Sequence, residues 1–175
     1  MPLHAAAAED LPAVADLVNS AYRGESSRQG WTTEADYIDG QRTDAGVLAA
    51  DLAAKPQARL LVLRDAPDGE LLGSVWLEPT GEPQTWYLGM LTVRPDLQAR
   101  RLGRGLLAEA EAAAAALGAK RIRMTVVGLR GPLIAWYQRR GYALTGETRP
   151  FPYEDPSIGV ARRRDLDFVV LEKAL

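Results

Sequence analysis

One stretch, Leu88 to Leu107, constrains the chain more than any other: LGMLTVRPDLQARRLGRGLL. An apolar run from Leu88 to Val93 is stopped by Arg94-Pro95, and a basic, glycine-punctuated loop follows. Proline cannot continue a ladder, so the strand ends there. The loop then opens a helix near Arg101. A strand, a glycine loop and a helix N-terminus in that order form an anion-binding device, because unsatisfied backbone N–H groups and the helix dipole converge on one point. The chain is therefore expected to bind a phosphate-bearing ligand there.

Which ligand depends on spacing. Gly103-Arg104-Gly105-Leu106-Leu107-Ala108 matches G-x-G-x-x-G/A, the dinucleotide fingerprint. That fingerprint needs its first glycine directly after the strand and an acid about twenty residues on. Here Pro95 and a long loop separate Val93 from Gly103, and the segment near Arg123 reads Arg-Met-Thr-Val-Val-Gly, without an acid. The match fails on both counts. A Walker loop is excluded because no GK[ST] follows the glycines.

The rest of the chain reads as scaffold. Leu3 to Ala7 could be a short strand. A helix is expected from Glu9-Asp10 to about Tyr22, with Leu11, Val14, Leu17, Val18 and Ala21 on one face. Thr32 or Thr33 is positioned to cap a second helix through Gln41, and Asp44 a third through Ala54. Arg59 to Arg64 and Leu71 to Leu77 form a hairpin around Asp68-Gly69, and Gln84 to Val93 is the next strand. Further on come a helix from Arg101 to Leu117, a strand from Arg121 to Val127 and a helix from Leu133 to Arg140. Two strands, Tyr142 to Glu147 and Asp167 to Glu172, close the chain around a long loop. A meander followed by β-α-β and a closing pair gives a mixed sheet with helices on both faces.

Several function classes drop out. With 175 residues one ordinary domain is expected over 1–175, and a net charge of -2 gives no general field for nucleic acid. There is no cysteine and one histidine, His4, so thiolate metal sites, cysteine nucleophiles and a metal cofactor are not expected. No run approaches membrane-spanning length and MPLHAAAAEDL is not a signal peptide, so a cytoplasmic protein without a membrane partner is expected.

Arg100-Arg101-Leu102-Gly103-Arg104-Gly105 reads R-x-x-G-x-G after Val93-Arg94-Pro95. In this the chain resembles the GNAT family of acetyl-coenzyme A-dependent N-acetyltransferases, whose pyrophosphate loop has the form [QR]-x-x-G-x-[GA]. Tyr137-Gln138-Arg139-Arg140-Gly141-Tyr142 likewise looks like the family's Y-x-x-x-G-[FY] segment. The resemblance implies an α/β (α+β) fold with a mixed, mostly antiparallel central sheet of about seven strands and helices on both faces. It implies acetyl-CoA as cosubstrate, held by Leu91, Thr92, Val93, Arg100, Arg101, Leu102, Gly103, Arg104, Gly105 and Leu106. Leu91 and Val93 would pair with pantetheine, a backbone N–H around Leu91 would polarise the thioester carbonyl, and Tyr137 would protonate the leaving thiolate. A phenol suits that task because its pKa near ~10 lies above a thiol's. Leu133, Trp136, Tyr137 and Arg140 also follow helical spacing, so a core position is the other reading of Tyr137. An asparagine common in the family seven residues earlier is here Arg130.

The acceptor would be a small-molecule or peptide amine. Candidates for the base are Glu34, ranked first, Asp36, Asp39 and Glu78. GWTTEADYIDGQRTD is dense in acids and aromatics, which would suit a cationic amine, and Phe151, Tyr153, Glu154 and Asp155 offer a second wall. A homodimer is common in the family. A non-catalytic coenzyme A-binding sensor with the same fold is the alternative, since intact glycines serve both.

Overall fold

Strands covered on both faces must be apolar at successive positions, and two stretches of the chain meet that demand. Leu60 to Leu63 and Leu72 to Leu77 are buried throughout. They sit inside a seven-stranded sheet in the computed structural model of the chain, which describes residues 2–175. In chain order the elements are β1 (His4–Ala5), α1 (Leu11–Tyr22), β2 (Ile38–Asp39), α2 (Ala45–Ala54), β3 (Arg59–Arg64), β4 (Leu71–Pro79) and β5 (Thr85–Val93). There follow α3 (Leu102–Ala116), β6 (Arg121–Val127), α4 (Gly131–Gln138), β7 (Ala143–Pro150), β8 (Val160–Ala161) and β9 (Asp167–Ala174).

The strand order is β1-β3-β4-β5-β6-β9-β7, and every pairing is antiparallel except β5 with β6. Side chains alternate across the sheet, so β3 feeds two cores. Leu61 and Leu63 join the α3 side with Leu106 and Ala110, whereas Leu60 and Val62 meet Val14 and Val18 of α1 and Leu48 of α2. The expected mixed sheet with helices on both faces is present.

Two expectations change. No helix forms from Thr32 to Gln41. Thr33 Oγ1 does accept from Ala35 N at 3.1 Å, the local cap the sequence offered, but the chain makes only a turn before the two residues of β2. The Glu34 side chain is drawn into the interior and Gly40 adopts φ 85°, so the helical register is abandoned. The late loop is also more ordered than a plain connection. β8 pairs with β2, matching Ile38 to Ala161, and thereby binds the two segments expected to face the acceptor. Phe151, Ile38, Val127 and Leu166 form a small core beneath them, with Tyr153 packed against it. Phe151 and Tyr153 thus anchor the loop.

The feature that positions the site is a failure of pairing. β5 and β6 are in register only from Thr85 to Tyr87, against Arg121 to Arg123. Beyond Tyr87 the two strands diverge, leaving a gap between Leu88–Val93 and the upper half of β6. β5 also carries a bulge: Ser74 of β4 pairs with Thr92 and Trp76 with Gly89, so Met90 and Leu91 oppose Val75 alone. Met90 takes φ 47°, a sparsely populated conformation for a residue with a side chain.

Candidate active site

A cavity of about 380 Å³ lies where β5 ends and α3 begins, lined by Leu91, Val93, Gln98, Arg101, Gly103, Arg104, Trp136, Tyr137 and Arg140 among others. Arg94 N donates to Leu72 O of β4 at 2.9 Å, so by strand alternation Leu91 and Val93 turn their backbone groups to the open edge. Their carbonyls are already engaged. Tyr22 Oη donates to Leu91 O, and Gln98 Nε2 donates to Val93 O at 3.1 Å. What the edge retains for a ligand is its N–H groups.

At the loop, Arg101 is the N-cap of α3 with φ 62° and no side chain caps the helix. The first-turn N–H groups therefore have no partner within the helix. Neither glycine here is forced by backbone geometry, since neither has positive φ. A Cβ at Gly105 would meet no protein atom within 4 Å, and one at Gly103 would meet only Trp136 and Val93 at ordinary contact distance. The absence of side chains keeps the backbone open toward the cavity. Arg101, Arg104 and Arg140 line it, and the Arg140 guanidinium stacks 3.7 Å from the Trp136 ring. Trp136 also meets Trp31 at 5.9 Å between ring centroids, closing one wall.

Of the residues assigned to the coenzyme from sequence, Leu91, Val93, Arg101, Gly103 and Arg104 come together on this cavity, with Gly105 in the adjoining turn. Leu102 packs against the core, Leu106 is buried in it, Thr92 is buried on the β4 side with its hydroxyl donating to Met90 O at 2.9 Å, and Arg100 is exposed. Tyr22, Gln98, Trp136 and Arg140 line the cavity without having been assigned to it from sequence, and Trp31, expected on the acceptor wall, lines it too. Of the unassigned four, only Trp136 and Arg140 carried a signal, their helical spacing with Tyr137.

Tyr137 stands at the inner end. Its ring packs edge-on against Trp136 and Tyr142, and it lines both the cavity and a narrow throat of about 40 Å³ between β5 and β6. Tyr137 holds the core position that its helical spacing allowed, and it also lines the cavity. Burial pushes its phenol well up from the usual value, with Tyr22 adding and Arg130 and Arg42 opposing. Tyr87 and Thr125 line both the throat and a wider cavity of about 780 Å³ on the far side, which Glu78 also lines.

Glu34 has a different setting from that of a free acid. It is 3% exposed and lies amid three guanidiniums: Arg23 Nε at 3.4 Å, Arg42 Nη1 at 3.3 Å and Arg130 Nη1 at 3.2 Å. Burial raises its carboxyl, but Arg42, Arg130 and Arg23 outweigh that and hold it below the ordinary carboxylate range. Asp36 is bound to Arg28 at 2.9 Å on the surface, and Asp39 is exposed near Arg162 at 3.9 Å. The acids between Trp31 and Asp44 therefore form no acidic wall along the throat. Arg130, the departure from the family pattern, is instead 7% exposed and ties Glu34 and Thr32 O to the start of α4.

Among the described residues no cluster of His, Cys, Asp and Glu could hold a metal ion, and no helix is long and apolar enough to cross a membrane. The sequence model of the acetyltransferase (GNAT) family matches residues 12–142. No curated protein sequence matches the chain at a significant level. Among solved structures, a ribosomal-protein-alanine N-acetyltransferase from Brucella melitensis superposes with a TM-score of 0.70 at 20% identity over 100% of both chains. A variant of spermidine N-acetyltransferase from Vibrio cholerae gives 0.69 at 16% identity, over 99% of this chain and 95% of that one. A GNAT family acetyltransferase from Elizabethkingia anophelis with acetyl-CoA bound gives 0.57 at 17%, over 73% of this chain and 82% of the other. At such identities the likeness is one of fold.

Proposed function

The chain belongs to the GNAT family of acetyltransferases, and from that premise we propose that it moves the acetyl group of acetyl-coenzyme A to the nitrogen of a primary amine, with residues 1–175 acting as one acyltransferase domain. The observation that carries this reading is a coincidence at one cavity. An uncapped helix start with two open glycines, an unpaired strand edge and the Tyr137 ring all line or adjoin the same space.

The residues suit the coenzyme on grounds internal to the chain. The first-turn N–H groups of α3, with Arg101, Arg104 and Arg140, would hold a pyrophosphate, since amides, dipole and guanidiniums all favour oxyanions. The N–H groups of Leu91 and Val93 would pair with the amide-bearing arm, a form of β-augmentation. The bulge at Met90 and Leu91 would aim an N–H at the thioester carbonyl, where charge grows as the amine attacks. The bound cosubstrate supplies an activated acyl carbon, so the chain needs no nucleophile of its own.

The amine nitrogen forms the new C–N bond as the C–S bond breaks. One amine proton must leave, and the departing sulfur must be stabilised and protonated. Tyr137 serves the sulfur. Its raised pKa keeps the phenol neutral near pH 7, so it donates a hydrogen bond to the departing sulfur. The same shift disfavours full transfer of the phenolic proton to a thiolate of ordinary pKa ~8.5, and solvent completes the protonation. Glu34, first choice from sequence as the base, acts here as a positioning residue, because three guanidiniums lower its basicity. Among the other candidate acids only Glu78 lines the far cavity, and its carboxylate is held by Lys55 Nζ at 2.9 Å and accepts from Trp76 Nε1 at 2.9 Å, so the amine proton would leave to solvent on that side.

A thiol-release assay with acetyl-coenzyme A and a panel of amines tests the reading. Turnover of at least one amine is expected. Tyr137→Phe should lower kcat by roughly 10²-fold, the low end for a positioned acid, while acetyl-coenzyme A affinity changes little. An unchanged kcat would remove Tyr137 from the chemistry.

A further inference from the structure

The charge around Glu34 is unbalanced. One carboxylate meets three guanidiniums, and two of these, Arg42 and Arg130, line the throat between β5 and β6. No carboxylate lines that throat. The three arginines differ in how fully they are used. Arg23 donates to Glu34 and to the carbonyls of Gly40, Gln41 and Ile158, and Arg130 donates to Glu34 and to Thr32 O. Arg42 spends Nη1 on Glu34 at 3.3 Å, and among the described residues its side chain makes no other hydrogen bond. Its guanidinium lies 4.6 Å from the centroid of the Tyr22 ring, with the side chain 27% exposed.

A guanidinium fixed by an aromatic face and one carboxylate, with donors left over, is a prepared site for an oxyanion. We infer that the acceptor amine carries its own oxyanion, a carboxylate or a phosphorus oxyanion, which Arg42 receives with support from Arg130. This rests on the acetyl-transfer reading and narrows its substrate class. Arg42 and Tyr137 line the same narrow throat, so an oxyanion at Arg42 and an amine nitrogen near Tyr137 would belong to one compact group of the acceptor. That is the chemistry of a free amino acid or an aminophosphonate, and not that of a polyamine or a protein N-terminus.

The same field serves the reaction. A net positive throat disfavours the ammonium form of a bound amine and favours the neutral, nucleophilic form. A strong base beside the nitrogen is then unnecessary, in keeping with the absence of an acid from the throat. A polycationic amine would meet repulsion without compensation, because Glu34 is already shared among three arginines.

The test compares matched acceptors in the thiol-release assay: α-amino acids, their α-amides, the corresponding decarboxylated amines, an aminophosphonate and spermidine. With the unaltered protein, kcat/KM for the anionic amines should exceed that for amides and decarboxylated amines about tenfold or more, as for a charge-assisted bond. The aminophosphonate shows which oxyanion geometry is preferred. Arg42→Gln should collapse the ratio toward unity and Arg42→Lys should keep part of it. Because a ratio is read, a general loss of folded protein in either variant does not mimic the effect. Equal or better turnover of amides or spermidine by the unaltered protein overturns the oxyanion site while leaving acetyl transfer standing. An unchanged ratio in Arg42→Gln overturns the role of Arg42, and no thiol release from any amine overturns both.

Discussion

At Gly105 the fold and the ligand make opposite demands. Within a helix a glycine costs about 0.5–1 kcal/mol relative to alanine, through the extra backbone freedom lost on folding. No protein atom lies within 4 Å of where its Cβ would stand, so nothing inside the chain requires the glycine. Gly105→Ala should therefore raise the melting temperature by about 2–4 °C. It should also weaken acetyl-coenzyme A binding about tenfold, because the added methyl enters the space where a pyrophosphate meets the first turn of α3. A thermal melt paired with a binding titration checks both. A variant both more stable and equally tight would remove the phosphate role from this turn. The placing of Gly103, Arg101 and Arg104 on the cavity, with Gly105 in the adjoining turn, could be anticipated from the sequence because a helix start is local, built from residues a few positions apart. Arg100 and Leu106 show the limit of that legibility: the motif names their positions, but helical rotation sends one to solvent and the other into the core.

Among elements, the cluster at Glu34 joins the end of α1 through Arg23, the following loop through Arg42 and the start of α4 through Arg130. Removing the carboxylate leaves three partly or wholly buried cations without their counter-charge, so Glu34→Gln should cost about 3–5 kcal/mol. The sign with pH follows from its depressed folded pKa. The stabilisation is fully present above the unfolded value of 4.5 and is lost as pH falls through the lower folded value. Urea midpoints measured from about pH 7 down to about pH 3 should show a loss on the acid side that is smaller in Glu34→Gln. A variant as stable as the parent at neutral pH would contradict this placement. None of it could be read from the sequence. The Glu34–Arg130 pair spans 96 positions, and the local signals at Thr32-Thr33-Glu34 favoured a capped helix, which tertiary ion pairing overrode. The bulge at Met90 was equally hidden, since its left-handed conformation falls on a residue that gives no sign of it.

For the whole molecule, the mixed sheet was legible because alternation and turn chemistry recur along β3 to β6. The divergence of β5 from β6 was legible only through family resemblance, since pairing across 36 positions is written in no local pattern. That divergence opens a path through the sheet, from the cavity at α3 through the throat to the cavity beside Glu78. Under the proposed direct transfer, the path would give the two reactants separate approaches to one point. Everything depends on the first cavity accepting the cosubstrate. Isothermal calorimetry of acetyl-coenzyme A against the purified chain measures this directly. Saturable binding at about one equivalent per chain, weakening as salt is raised because arginines and a helix dipole hold the pyrophosphate, is the expected result. No saturable heat, or binding indifferent to Gly105→Ala, would contradict it.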